Sequence, residues 1–262
     1  MLPNPGAASL LRTQRLCTPY TKNINDNGRC PQSVGTQMPV IAAPQVARRL
    51  QPARGSYRHG DLRRALLDAG IELARDGGPD AVVLREATRR AGVVPNAAYR
   101  HFDSRDALLE AVRAAALAAM AVAMEEEIAV AERRARGPVE LARARLRAVG
   151  TAYLRFARAQ PGLFRTAFSP VAAGGGTAPA PASDRAGDSG LNPFELLGSA
   201  LDSLTEAGVL SVDHRPAAEY LAWSAVHGMA LLAIDGPLRQ LSDEQAQALG
   251  QRLLDMVERG LV

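Results

Sequence analysis

The chain has 262 residues, 47% hydrophobic, 4% aromatic and 22% charged, with a formal net charge of +4. This length accommodates one large or two small domains, and the apolar share is enough for a sizeable core. Ala and Leu dominate the apolar set, which favours helix packed on helix and excludes a fold dominated by alternating β-branched strands. Cys17 and Cys30 show neither metal-ligand spacing nor a disulfide framework, and read as free thiols.

In chain order, residues 1–55 are rich in Pro, Asn, Gln, Thr and Gly with no sustained period, and read as a disordered extension. Met38 is an alternative start. Arg48, Arg49, Arg54 and Arg58 either follow a phosphate backbone or belong to a solvated tail. Residues 48–105 hold twelve arginines against seven acidic residues, so the positive excess is concentrated there. A first helix fits 60–75, where Leu62, Leu66, Ala69 and Leu73 share a face, and Gly77, Gly78 and Pro79 end it. A second fits 84–91, with Gly92 in the left-handed position just past its end. Pro95 suits the first turn of a third helix, 95–102, in which Phe102 is expected to pack on the first. Ser104 is the N-cap of a long fourth helix, with Ala107 at N3, ending near 136–138. Further helices fit 139–159, 161–168, 193–206, 216–234 and 242–260. Residues 170–192, rich in Gly, Ala, Pro and Ser, read as a flexible loop. The run Glu125, Glu126 and Glu127 reads as solvated helix surface.

No apolar stretch reads as long enough to span a bilayer, and the N-terminus lacks the apolar core of a secretion signal. A cytoplasmic protein without a membrane partner is expected. Catalytic ingredients are not evident: His59, His101, His214 and His227 are scattered, no nucleophile motif occurs, and the glycines at 174–176 lie in a low-complexity segment. The reading therefore assigns no catalytic residue, metal ligand or cofactor.

The two short helices around Gly92 have the layout of a helix-turn-helix. The major groove admits one helix and offers base edges to its side chains, while phosphate contacts fix the register. Asn96 suits an adenine edge or a phosphate. Tyr99 and His101 suit phosphate oxygens, and Arg100 and Arg105 add charge. With Tyr57, Arg58, Arg85, Pro95 and Ala97 they form the expected DNA-binding set.

The run Ala91-Gly92-Val93-Val94, then Tyr99-Arg100-His101-Phe102, then Arg105 resembles the DNA-binding domain of TetR-family transcriptional regulators over residues 60–112. Val83 and Val94 depart from that pattern, which has Thr and Ser at these helix N-caps, and Thr88 stands where Ala is common. Its hydroxyl must reach a backbone carbonyl. The segment Trp223-Ser224-Ala225-Val226-His227-Gly228 and residues 156–164 are similar to one branch of the family. The resemblance implies an all-α chain: a three-helix DNA-binding domain at 56–105, and a helical regulatory and dimerisation domain at 106–262. It also implies a homodimer joined by the last two helices of each subunit.

Phe156, Phe164, Trp223 and His227 are the candidate effector-binding residues, against the alternative of a packed core with a hydrogen-bonded histidine. Gly228 is expected to permit close approach of another helix. The expected function is a repressor of a near-palindromic double-stranded operator, with half-sites about 34–36 Å apart, released by a small apolar or amphipathic effector. The alternatives are an activator, or a ligand-independent DNA-binding protein acting through a protein partner.

Overall fold

Every regular element among the described residues is helical. The computed structural model describes residues 59–170 and 179–262. The expectations for the 1–55 extension, its cysteines and arginines, and for Tyr57 and Arg58 lie outside them. The helices are α1 (His59–Gly77), α2 (Leu84–Ala91), α3 (Pro95–Ala98), α4 (Arg105–Glu132), α5 (Pro138–Ala159), α6 (Pro161–Ala167), α7 (Pro193–Glu206), α8 (Ala218–Ile234) and α9 (Asp243–Leu261). Short 3-10 turns occur at Pro79–Ala81, Ala182–Arg185 and Pro237–Gln240.

The reading head, α1 to α3, is built on a small apolar core. Leu66, Leu73, Leu84, Ala87, Ala98 and Phe102 are buried. Gly92 ends α2 at φ 69°, and its N–H returns to the Arg89 and Thr88 carbonyls. A side chain in this left-handed conformation is strained, which is why glycine stands here. The Thr88 hydroxyl donates to the Arg85 carbonyl at 2.7 Å. α3 is shorter than expected. The His101 and Phe102 N–H groups both bond the Ala98 carbonyl at 2.9 Å, a tight turn that brings Phe102 back into the core. Arg63 lies over the Phe102 ring at 5.3 Å, a cation–π contact.

Ser104 accepts from the Ala107 N–H at 3.1 Å and opens α4. This helix corrects the reading that no stretch can span a bilayer, since α4 is long and apolar enough by length and composition. Its apolarity serves packing: Leu108, Val112, Ala116, Met120 and Met124 are buried where α4 meets α1, α5, α6 and α7. α4 stops at Glu132, earlier than expected, in a turn where the Arg134 N–H bonds the Ala131 carbonyl.

Two polar features also differ from expectation. Residues 179–192 are not a featureless loop. They carry the Ala182–Arg185 turn, and the Ala180 N–H donates to Glu110 at 3.0 Å. The glutamate run is not wholly solvated. Glu125 accepts the Asp188 and Ser189 N–H groups at 2.9 and 3.0 Å, and Glu127 pairs with Arg155 at 2.7 Å. Burial opposes ionisation of Glu125, but the hydrogen bonds from Ser189 and Asp188 outweigh it and leave its pKa below the ordinary carboxylate value. A capping box of Asn192 and Glu195 then starts α7. α8 begins at Ala218, two residues later than expected, because Ala217 adopts a left-handed conformation at φ 63°.

α6 joins the reading head to the rest. Its Gly162 is pressed against the last turn of α1, where an added Cβ would lie 2.2 Å from the Ala74 carbonyl oxygen and 2.5 Å from that of Arg75. Backbone cannot yield as a side-chain tip can. Gly162→Ala is expected to lower unfolding stability by about 3 kcal/mol through overpacking, measured by urea denaturation. A loss under about 0.5 kcal/mol, the range of a neutral surface change, would show that the α1–α6 contact is loose.

Candidate functional site

Two surfaces stand out: the outer face of the reading head and a cavity among the later helices. On the head, α3 is anchored by buried Ala98 and presents Pro95 and Asn96 to solvent, and the turn that follows it presents Tyr99 and Arg100. Tyr99 is 56% exposed and Val94 69%, large apolar surfaces that nothing in the chain covers among the described residues. Ala97 and His101 are half-buried at the edge of this face. Arg85 and Arg100 are exposed and form no ion pair among the described residues, so their charge is available to phosphates.

Arg105 is placed differently from its expected role. Its Nε donates to the Val82 carbonyl at 2.9 Å and its Nη2 to the Pro79 carbonyl at 2.8 Å. It therefore fastens the start of α4 to the turn before α2 and positions the head from within. Arg89 and Arg90 are likewise occupied, by Glu86 at 2.6 Å and by Asp76 at 2.9 Å. Neither Val83 nor Val94 caps its helix with a side chain.

The cavity has a volume of about 270 Å³ and lies among α4, α5, α7, α8 and α9. Its wall is mainly apolar, with Leu117, Met124, Phe168, Phe194, Trp223 and Leu254 among its members. Of the four candidate effector residues, only Trp223 lines it. Phe164 is fully buried, its ring 5.4 Å from Tyr153 and 4.9 Å from Phe168. Phe156 is also core. His227 stands behind the wall, against Phe164 and Phe168. The physical reason is register: one helical face meets the aromatic core, and Trp223 reaches past it.

Trp223 and His227 are nevertheless joined through a residue that sequence reasoning missed. The Trp223 indole N–H donates to the Tyr153 hydroxyl oxygen at 3.1 Å, and that hydroxyl lies 2.6 Å from His227 Nδ1. Burial holds the His227 pKa below its ordinary value, so the imidazole is neutral near pH 7. The Tyr153 O–H then donates to Nδ1, which places the ring proton on Nε2. Burial also raises the Tyr153 pKa, so this hydroxyl keeps its proton. Tyr153 shares the cavity wall with Trp223. The only sequence signal for it was its place on the apolar face of α5.

Arg113, Arg147 and Arg185 also contribute to the cavity wall. Arg147 is matched by Asp255 and by Glu258, the latter at 2.6 Å from its Nε. Arg113 lies 3.4 Å from Glu110, and Arg185 bonds the Ala180 carbonyl. No cluster of His, Cys, Asp and Glu suited to a metal ion occurs among the described residues.

The comparisons agree with this geometry. The description "Bacterial regulatory proteins, tetR family" matches residues 66–112, and "Tetracyclin repressor-like, C-terminal domain" matches residues 146–257. A protein of unknown function from Rhodococcus sp. RHA1 is 29% identical, with a TM-score of 0.60 over 79% of this chain and 98% of that one. The regulator FadR from Bacillus subtilis, solved with stearoyl-CoA, has a TM-score of 0.54 at 14% identity, over 76% of this chain and 99% of its own. A structure described as the basis for control of antibiotic production by bacterial hormones has a TM-score of 0.50 at 25% identity, covering 74% and 95%. No curated protein matches the chain. The chain belongs to the TetR family of bacterial regulatory proteins and is a DNA-binding transcriptional regulator.

Two outcomes follow from these sites. Unfolded His227 titrates near 6.5 and the folded residue lower, so between these values only the unfolded chain binds the proton. Stability is full above that window and falls as pH drops through it. The melting temperature is expected to fall more between pH 7.5 and 5.5 in the wild type than in His227→Asn; an equal fall would place the sensitivity elsewhere. Val94→Ser supplies a missing N-cap and is expected to raise stability by about 1 kcal/mol and tighten DNA binding. Unchanged melting and affinity would show that Pro95 and packing already set the helix start.

Proposed function

We propose that the chain is a cytoplasmic, homodimeric repressor whose reading heads enter successive major grooves of a near-palindromic operator, and which is released when a small molecule fills the cavity. It acts through binding and performs no chemistry on DNA. The exposed face of α3, with Asn96, Tyr99 and Arg100 around a buried Ala98, is the observation that carries the DNA-reading assignment. Asn96 supplies a base edge, Tyr99 and His101 phosphate contacts, Arg85 and Arg100 charge, and Pro95 and Ala97 close approach to the backbone.

Dimerisation through α8 and α9 is supported by the apolar surface they expose. Leu221 and Leu231 on α8 and Met256 on α9 face solvent, and a Cβ added at Gly228 would meet nothing within 4 Å. The space beside Gly228 is thus open among the described residues and leaves room for a partner's helix. A two-fold axis there matches the symmetry of a palindromic site.

Release by an effector is supported by the apolar cavity and its links to the head. α4 supplies Leu117 and Met124 to the wall and begins at Arg105, while α6 presses Gly162 on α1. The structure with 25% identity is described as the basis for control of antibiotic production by bacterial hormones, which favours a small-molecule effector over a protein partner. An effector shifts the head only if it binds the two states unequally.

The test is binding to DNA from the protein's own upstream region against scrambled DNA, at two salt concentrations. Selective binding that persists at higher salt is expected, and Tyr99→Ala should weaken it by about tenfold or more. Equal, salt-sensitive binding to both DNAs would reduce the interaction to electrostatic attachment.

A further inference from the structure

The cavity is apolar along most of its wall and cationic in one part of it. Arg113 comes from α4 and Arg185 from the Ala182–Arg185 turn, and both belong to the lining. The Nε atoms of both are buried and have no hydrogen-bond partner among the described residues. Buried donors normally find an acceptor, and a charged guanidinium left short of one is costly. Arg147, the third arginine of the wall, is different, because Asp255 and Glu258 already face it.

The charge count in this part of the cavity favours an anion. Glu110 lies 3.4 Å from Arg113 and also accepts the Ala180 N–H, while Arg185 forms no ion pair among the described residues. The rest of the wall, with Leu117, Met124, Phe168, Phe194 and Trp223, takes an apolar body. A volume of about 270 Å³ lies just below the usual range of ligand sites, which begins near 300 Å³, and so favours a small ligand.

We propose that the effector is an amphipathic carboxylate of medium length, its head held between Arg113 and Arg185 and its chain along the Trp223 side of the cavity. This rests on the effector reading above and adds the ligand's chemical class and the residues that select it. Guanidinium groups bind a carboxylate with paired, charge-assisted hydrogen bonds, and a neutral chain of equal length lacks that part of the attraction. Binding at Arg185 also engages the segment that Glu110 and Glu125 hold against α4.

Trp223 is the sole tryptophan of the chain and lines the cavity, so its emission reports occupancy directly. The full-length protein is titrated with decanoate, 1-decanol and methyl decanoate below their aggregation limits. Decanoate is expected to change Trp223 emission saturably and to bind at least about tenfold more tightly than either neutral probe. Arg113→Gln and Arg185→Gln should each erase this preference while retaining 1-decanol binding, which shows that the cavity is still folded. Equal binding of decanoate and 1-decanol, or a preference that survives in the double variant, overturns the proposal, as does failure of decanoate to bind. Operator release is measured alongside. Release by a neutral probe alone keeps the effector reading and rejects the carboxylate. Absence of release by decanoate that binds rejects the effector reading and keeps the site.

Discussion

The arrangement depends on one close backbone contact. Gly162 sits against the Ala74 and Arg75 carbonyls at the end of α1, at a distance no larger residue tolerates. Those carbonyls belong to the last turn of α1, and that of Ala74 already accepts the Gly78 N–H at 2.8 Å. The contact thus joins the reading head to the larger helical body through rigid backbone. Flexible side chains would transmit a displacement poorly across the same distance. Six residues after Gly162, α6 gives way to Phe168, which is part of the cavity wall.

The aromatic cluster explains how the cavity keeps its shape. Phe164 is enclosed, Phe168 packs on it, and Tyr153 receives the Trp223 N–H while donating to His227. Each buried polar atom in this chain of contacts has a partner, so the wall is fixed without an uncompensated charge. A neutral His227 suits this role, and burial keeps it neutral. The arginines Arg113 and Arg185 follow the opposite rule. Both side chains line the cavity, and each keeps a buried Nε without a hydrogen-bond partner among the described residues.

Much of the fold was legible because its signals are local. Gly92 fixed the end of α2, Pro193 the start of α7, and Ser104 the cap of α4, each within one helical turn of the boundary it sets. Phe102 was legible as a core residue for the same reason, one turn from Ala98. The helix ends that shifted, of α3, α4 and α8, were set by local turns, whereas the misread side chains have partners distant in the chain. Arg105 read as a DNA contact because its two carbonyl acceptors lie more than twenty residues earlier. Glu125 read as solvated because its donors lie more than sixty residues later. The cavity residues were chosen by type, so Phe156 and Phe164 were included and Tyr153, Arg113 and Arg185 were not. Which aromatic faces a cavity and which fills a core is decided by the register of five helices, and no single helix carries that information.

The central claim is that cavity and reading head are one coupled system, and coupling between sites is reciprocal. DNA can therefore serve as the probe of the cavity, with no effector in hand. Trp223 emission and the anisotropy of labelled upstream DNA would be followed in the same titration. The account predicts a saturable change in Trp223 emission that tracks specific binding and is not produced by scrambled DNA. Emission that stays constant while anisotropy reports full binding would contradict it, since the cavity would then be indifferent to the state of the head.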